Sequence, residues 1–299
     1  MPQLEVVSAT PGAGKTAVAV ALARGLAAIG QPVQLVRAGS GEPAAIDAVT
    51  FASYPFGASP GRVLTSTDIV DRDDQLTIVE GDGGGSPLTA GPAIIIVREK
   101  VTGADTALAS TLGARLIGSI ATAVVPSQID AVARDLNDAG MRPIALLPES
   151  RALAAPSIAE LNLALRAEVL YDGENFDEII DDVVIAPVYT DPARPHFRRF
   201  ASKAVVTPAY KTDLQLAAVE AGANCLVLTG GQKPSPYLMD RVQGQEITVL
   251  MTKDRTVDAV TRLGDVWFAN RFRGDRKADA VWALVTDRID FAALARKLT

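Results

Sequence analysis

Short, mostly apolar runs recur along the first half of the chain: Leu4 to Ser8, Val33 to Arg37, Leu76 to Glu80, Ala93 to Val97, Leu116 to Ile120 and Pro143 to Leu147. Continuous apolar runs of this length, bounded by glycine and proline, read as strands buried on both faces, which is the signature of a parallel sheet. Between them lie stretches with helical spacing, Lys15 to Ile29, Asp105 to Leu112 and Gln128 to Asn137. Gly30 and Pro32 stop the first helix. The segment from Ala38 to Arg72, which carries Asp47, shows no clear period and is expected to be irregular. Strands that alternate with helices predict a doubly wound parallel α/β sheet.

After Pro148 the pattern loosens. A helix is expected over Ser157 to Ala167, then a short apolar run and a Tyr-Asp-Gly turn, which sets an expected domain boundary near residue 173. The second unit repeats one step three times: AVVT before PAYKTD, LVLT before GGQKPS, and TVLM before TKDRT. Each step predicts a strand, a polar loop and a helix. The last stretch, from Arg271 onwards, looks like a basic loop and amphipathic closing helices. At 299 residues the chain is long enough for two cores. The expected division is residues 1–173 and 174–299, the second a smaller α/β domain.

Composition narrows the function. The formal charge of −6, with the signs evenly mixed, offers no basic field for a nucleic acid duplex. A single cysteine excludes an internal disulfide, and no C-x-x-C or H-x₃-H spacing holds zinc. Cys225, inside the apolar run NCLVLT, reads as a core residue. One histidine, His196, excludes histidine triads. No segment approaches the roughly 20 apolar residues of a membrane helix, and the first strand starts too early for a signal segment. A soluble, cytoplasmic protein is expected.

The chemistry centres on ATPGAGKT, Ala9 to Thr16, between the first strand and the first helix. Gly12, Ala13 and Gly14 allow backbone to approach phosphate, Lys15 reaches the outer phosphates, and the Thr16 hydroxyl suits Mg²⁺. Ala9 stands where the usual pattern has glycine. A Mg²⁺ ion here needs one or two carboxylates as well. Glu80 ends a buried strand and precedes GDGGG, so it should emerge beside the loop; Asp47 is a weaker candidate. Lys15 and Glu80 are the candidate catalytic pair. Arg37, at the end of the second strand, is a candidate phosphate or carboxylate fork. Asp82 either shares the metal or shapes the turn. In the second unit, Thr207, Lys211, Thr229, Gly230, Gly231, Lys253 and Arg255 fall at or past strand ends, where ligands of open α/β sheets bind. They outline a second anion site, unless Asp213 and Asp254 neutralise it internally.

ATPGAGKT, Asp47-Ala48 and VEGDGGG resemble the phosphate loop, the metal aspartate and the V-E-G-x-G-G segment of dethiobiotin synthetase-like P-loop proteins. That resemblance implies phosphate and Mg²⁺ roles for Lys15 and Thr16 and a metal site completed by Asp47 and Glu80. DVVIAPV, AVVTPAYKTD, CLVLTGGQKPSP and ITVLMTKDRTVDAV resemble the DRTGG domain that follows such a P-loop domain in the N-terminal part of long phosphate acetyltransferases. The acetyltransferase domain itself has no counterpart in this sequence. The resemblances imply an ATP- and Mg²⁺-binding regulatory or accessory protein with slow hydrolysis, whose second domain senses a phosphorylated metabolite or docks a protein partner. A ligase that activates a carboxylate or carbamate is the alternative, and a P-loop relic without nucleotide is a third reading. Related P-loop domains also imply a homodimer.

Overall fold

The computed structural model describes residues 3–39, 41–55, 63, 75–81, 88–186, 195–269 and 271–298. The chain divides into two compact units, residues 1–150 with 272–299, and residues 151–271.

In the first unit the apolar runs become β1 (Gln3–Val7), β2 (Val33–Arg37), β3 (Leu76–Glu80), β4 (Ala93–Arg98), β5 (Leu116–Val124) and β6 (Pro143–Pro148). They form one parallel sheet in the order β2-β3-β1-β4-β5-β6. The connections are α1 (Lys15–Ala28), α2 (Gly41–Ala52), α3 (Gly103–Leu112) and α4 (Ile129–Asp138). From β1 the chain first moves one way along the sheet and then, from β4 on, the other way. Right-handed crossovers therefore put α1 on one face and α3 and α4 on the other, so the sheet is doubly wound. Val7, Ile95, Val97 and Ala121 are buried against Leu112 of α3 and Val132 and Leu136 of α4. α2 is a helix where an irregular segment was expected: Ala44, Ala48 and Phe51 are buried at helical spacing, a short period that the flanking glycine and proline obscure.

The second unit contains α5 (Arg151–Ala154), α6 (Ile158–Leu165), β7 (Glu168–Tyr171), β8 (Asp182–Ile185), β9 (Lys203–Pro208), α7 (Thr212–Glu220), β10 (Cys225–Thr229), α8 (Pro236–Gln243), β11 (Thr248–Met251) and α9 (Thr256–Ala269). The three repeated steps are β9-α7, β10-α8 and β11-α9. The sheet order is β7-β11-β10-β9-β8, parallel except for β7, which pairs antiparallel with β11. Alternate strand residues feed two cores. Val205, Leu226, Leu228 and Val249 pack with Leu214 of α7 and Leu238 of α8. Ala204, Val206, Val227 and Leu250 pack with Leu161 of α6 and Leu263 of α9.

These cores place the units' limits differently from the expected boundary near residue 173. Helix α6, bounded by a Ser157–Glu160 capping box, buries Ile158, Leu161 and Leu165 in the second unit. The closing helices α10 (Asp275–Val285) and α11 (Phe291–Arg296) belong to the first unit, where they pack on α1. A side chain at Gly25 of α1 would meet the Phe291 ring at 2.1 Å. Arg24 pairs with Asp279 at 2.8 Å and lies 5.0 Å from the centre of the Trp282 ring. Short apolar helices carry no mark of the sheet they will cover, so sequence order misplaced both. Among the described residues no helix is long and apolar enough to cross a membrane.

We propose that each unit has a core sufficient to fold. Residues 151–271 expressed alone should unfold cooperatively in urea. Residues 174–299, which lack α6 and carry the two helices that cover α1, should be molten or aggregate. The opposite pattern would restore a boundary near residue 173.

Candidate P-loop site and the second sheet edge

The switch in chain direction occurs beside β1, and in open α/β sheets the crevice at such a point receives the ligand. Residues Ala9 to Gly14 run from β1 into α1 at that place. Gly12 and Gly14 adopt φ of 70° and 87°, left-handed values that glycine reaches without strain. Gly14 caps α1 without a side chain, and no acidic residue occupies the first turn. The helix N-terminus is left with amide donors and positive potential for an anion.

The loop is held from outside. Thr122 Oγ1 of β5 donates to the carbonyl of Ala13 at 2.7 Å, and Arg98 of β4 donates to the carbonyl of Gly12 at 2.9 Å. Two successive carbonyls are thereby drawn towards neighbouring strands. Neither residue was singled out in the sequence. The available signal was position: each stands at the carboxyl end of an apolar strand, the edge that faces ligands. Lys15 is 7% exposed, and its Nζ donates to Ser8 Oγ at 3.0 Å, which in turn donates to the carbonyl of Thr10 at 2.7 Å.

The parallel pairing of β1 with β3 aligns Val6 with Glu80, and β2 with β3 aligns Arg37 with Glu80. Glu80 therefore emerges beside the loop, as its place in the sequence predicts. It is 2% exposed; Oε1 accepts a hydrogen bond from Thr16 Oγ1 at 3.0 Å. Its Oε2 is buried with no hydrogen-bond partner among the described residues. Burial pushes the carboxyl up to about 7; Arg37 works against this, Asp47 adds to it, and Lys15 and the Thr16 hydroxyl work against it. The structure thus brings Lys15, Thr16, Arg37, Asp47 and Glu80 within one electrostatic neighbourhood.

Arg37 faces inwards. Its Nε donates to Asp47 Oδ2 at 3.3 Å and its terminal nitrogen to the carbonyls of Ala38 and Glu80. At 6% exposed it orients the carboxylate of Asp47 on α2, where sequence position suggested a fork for a ligand. Asp82 and the glycines after it lie outside the described residues.

Mg²⁺ fits this donor set on the structure's own evidence. A hydroxyl and a buried carboxylate oxygen without a partner are hard donors at the mouth of an anion-binding loop, and Mg²⁺ takes its remaining ligands from water and phosphate. Among the described residues no group of three or more His, Cys, Asp or Glu gathers as a closed metal site.

In the second unit, Thr207 of β9 is buried, and Thr229 of β10 shares a hydrogen bond with Thr256 at 2.8 Å. Gly230 and Gly231 follow β10 with φ of 91° and 68°. Lys211 caps α7, and Lys253 and Arg255 are exposed between β11 and α9. All seven residues of the expected second site therefore lie along one sheet edge. Asp254 pairs with Arg262 at 3.2 Å. Cys225 is fully buried in the second core and burial pushes its thiol up, which fits a core residue.

The chain is similar to a phosphate acetyltransferase of Nitratidesulfovibrio vulgaris, 27% identical over 165 residues, which are 51% of this chain and 23% of that protein. The match thus spans about a quarter of the relative's length. Among solved structures, the MinC:MinD cell division complex of Aquifex aeolicus is similar at 16% identity over 51% of this chain and 84% of that one, with a TM-score of 0.39. The CBS and DRTGG domains of the Clostridium perfringens pyrophosphatase regulatory region, complexed with diadenosine tetraphosphate, are similar at 16% identity over 46% of this chain and 69% of that one, with a TM-score of 0.34. Likenesses this distant decide nothing about the site. The model of the DRTGG domain matches residues 160–266, nearly the whole second unit, so this chain carries a DRTGG domain joined to an α/β domain with a P-loop.

Proposed function

We propose that the first domain binds Mg²⁺ and ATP at the P-loop, and that the chain serves as a nucleotide-dependent regulatory or accessory protein with slow hydrolysis at most. The observation that supports this is Glu80. A buried carboxylate with one oxygen on Thr16 and the other without a partner among the described residues is costly unless a cation comes to it. Bound Mg²⁺ would supply charge neutralisation for the phosphates.

The chain's own residues then have separate tasks. Gly12, Ala13 and Gly14 present backbone donors, held in place by Thr122 and Arg98. Lys15 exchanges the Ser8 hydroxyl for phosphate oxygen. Thr16 and Glu80 would hold the metal, Asp47 would add a second carboxylate, and Arg37 keeps the Asp47 carboxylate and the backbone carbonyl of Glu80 in place.

An accessory role also suits a segment that makes up 23% of a longer relative. The competing reading, a ligase for a carboxylate or carbamate, asks Arg37 to face a substrate, and its inward bonds favour positioning instead. Turnover that depends on such an acceptor would support the ligase. We further propose a homodimer, which light scattering at micromolar concentration checks.

Two variants test the site by titration calorimetry. Lys15→Ala should weaken ATP binding at least about tenfold, the effect of losing one charged hydrogen bond to phosphate. Because Lys15 is buried, its thermal unfolding must be compared with the parent's. Equal affinity in a folded variant would sink the assignment. Glu80→Gln should bind ATP but lose most of the enhancement by Mg²⁺, since a neutral amide is a poor ligand for a hard cation.

A second prediction concerns pH. The folded pKa of Glu80, about 7, lies above its ordinary value of 4.5. A carboxyl shifted upwards contributes stability that is complete below the ordinary value and is lost as pH rises through the folded one. In chelator, the parent should therefore lose stability relative to Glu80→Gln between about pH 4.5 and 7, by on the order of a few kcal/mol. Parallel stability profiles would show that Glu80 is not desolvated in solution.

A further inference from the structure

The carboxyl edge of the DRTGG sheet is a built surface. Backbone hydrogen bonds lace its three loops together: Ala209 N–H to Thr229 at 2.9 Å, Thr252 N–H to Leu228 at 2.9 Å, Gly230 N–H to Asp254 at 2.9 Å and Gly231 N–H to Thr252 at 3.0 Å. A side chain at Gly231 would come within 3.3 Å of Lys253 Cγ, so glycine there leaves room for that lysine.

On this laced edge stand groups that a protein ordinarily hides. Tyr210 is 68% exposed, Tyr237 61% and Val257 74%, one after each of the three central strands. Among the described residues these two tyrosines are the large aromatics left exposed in this way. Beside them lie Lys211, whose ammonium is 5.9 Å from the centre of the Tyr210 ring, and the exposed Lys233, Lys253 and Arg255. The helices α7, α8 and α9 all begin here, adding positive potential. The nearby carboxylates are Asp213, Asp254 and Asp258, and Asp254 is paired with Arg262. At the end of β9, just before the Tyr210 loop, Thr207 Oγ1 is buried with no hydrogen-bond partner among the described residues, and so is Gln215 Oε1 behind it. Buried polar atoms left without partners call for a functional explanation.

Flat aromatic faces and cations at one edge select a ligand with both a planar ring and an anionic tail. Inorganic phosphate makes no use of the tyrosines, and an apolar ligand makes no use of the lysines. We propose that this edge binds a nucleoside polyphosphate, its base stacked on Tyr210 or Tyr237 and its phosphates held by Lys211, Lys253 and Arg255. Stacking of a base on an aromatic side chain contributes about 1–3 kcal/mol, or roughly five- to 150-fold in affinity. This site is separate from the P-loop and does not rest on the function proposed for it.

The test uses the chain with Lys15→Ala, which weakens the P-loop, and measures radiolabelled ATP by equilibrium dialysis with tripolyphosphate as competitor; the tyrosine variants separate this edge from residual P-loop binding. The expected result is one remaining ATP site per chain. Adding Tyr210→Ala and Tyr237→Ala should weaken ATP at least about fivefold while tripolyphosphate binding persists; adding Lys211→Ala and Arg255→Ala should weaken both. These residues are at the surface, so thermal unfolding should not change. No ATP binding to the Lys15→Ala protein up to millimolar concentration would overturn the proposal. So would tyrosine variants with unaltered affinity, which would mark a plain anion surface, or binding only of a protein partner. ATP binding to the parent that the tyrosine changes abolish and Lys15→Ala leaves intact would support this site and overturn the P-loop reading.

Discussion

The first domain depends on the pairing of β1 with β3, which lays Glu80 beside the P-loop. A parallel sheet fixes register through its hydrogen bonds, so the last residue of β3 has no freedom to swing towards water. The carboxylate is therefore buried by the fold itself. Around it the chain places a hydroxyl on Thr16, a guanidinium on Arg37 and an ammonium on Lys15. These offset part of the cost of burial, and the carboxyl still stays well above its ordinary range. Among the described residues one oxygen is left over, and the proposal of a metal there rests on that oxygen.

The loop itself is shaped by its neighbours as much as by its glycines. Gly12 and Gly14 permit the left-handed turns, yet Thr122 and Arg98 determine which way the carbonyls face. With these carbonyls engaged outside the loop, its amides are free for an anion. The second domain follows a different plan. Its sheet is covered on both faces, so its three central strands are largely apolar and the candidate chemistry gathers at the laced edge.

Much of this was legible in the sequence, for identifiable reasons. The strands of the first sheet are short, mostly apolar runs, and β2 and β3 have the limits expected from those runs. Lys15, Thr16 and Glu80 were visible because a motif fixes two of them and a strand end fixes the third. Helix α2 was hidden by its flanking glycine and proline. The destinations of α6, α10 and α11 were hidden because an apolar helix face does not name its partner; Gly25, which makes room for Phe291, is the nearest thing to a signal. Arg37 could be placed at the correct sheet edge but not oriented, since a guanidinium at a strand end serves a ligand or a neighbouring carboxylate equally well. The exposure of Tyr210 and Tyr237 became apparent only once three loops were brought to one edge.

We propose that Glu80 gives up a proton to a cation that arrives with a nucleotide. Calorimetric titration of preformed Mg–ATP at pH 7, in buffers of different ionisation enthalpy, counts the protons released on binding. A carboxyl that burial holds at about 7 is partly protonated there, so binding should release a fraction of a proton per chain that is not released in Glu80→Gln. Binding with the same proton count in both proteins, or no binding in either, would contradict it.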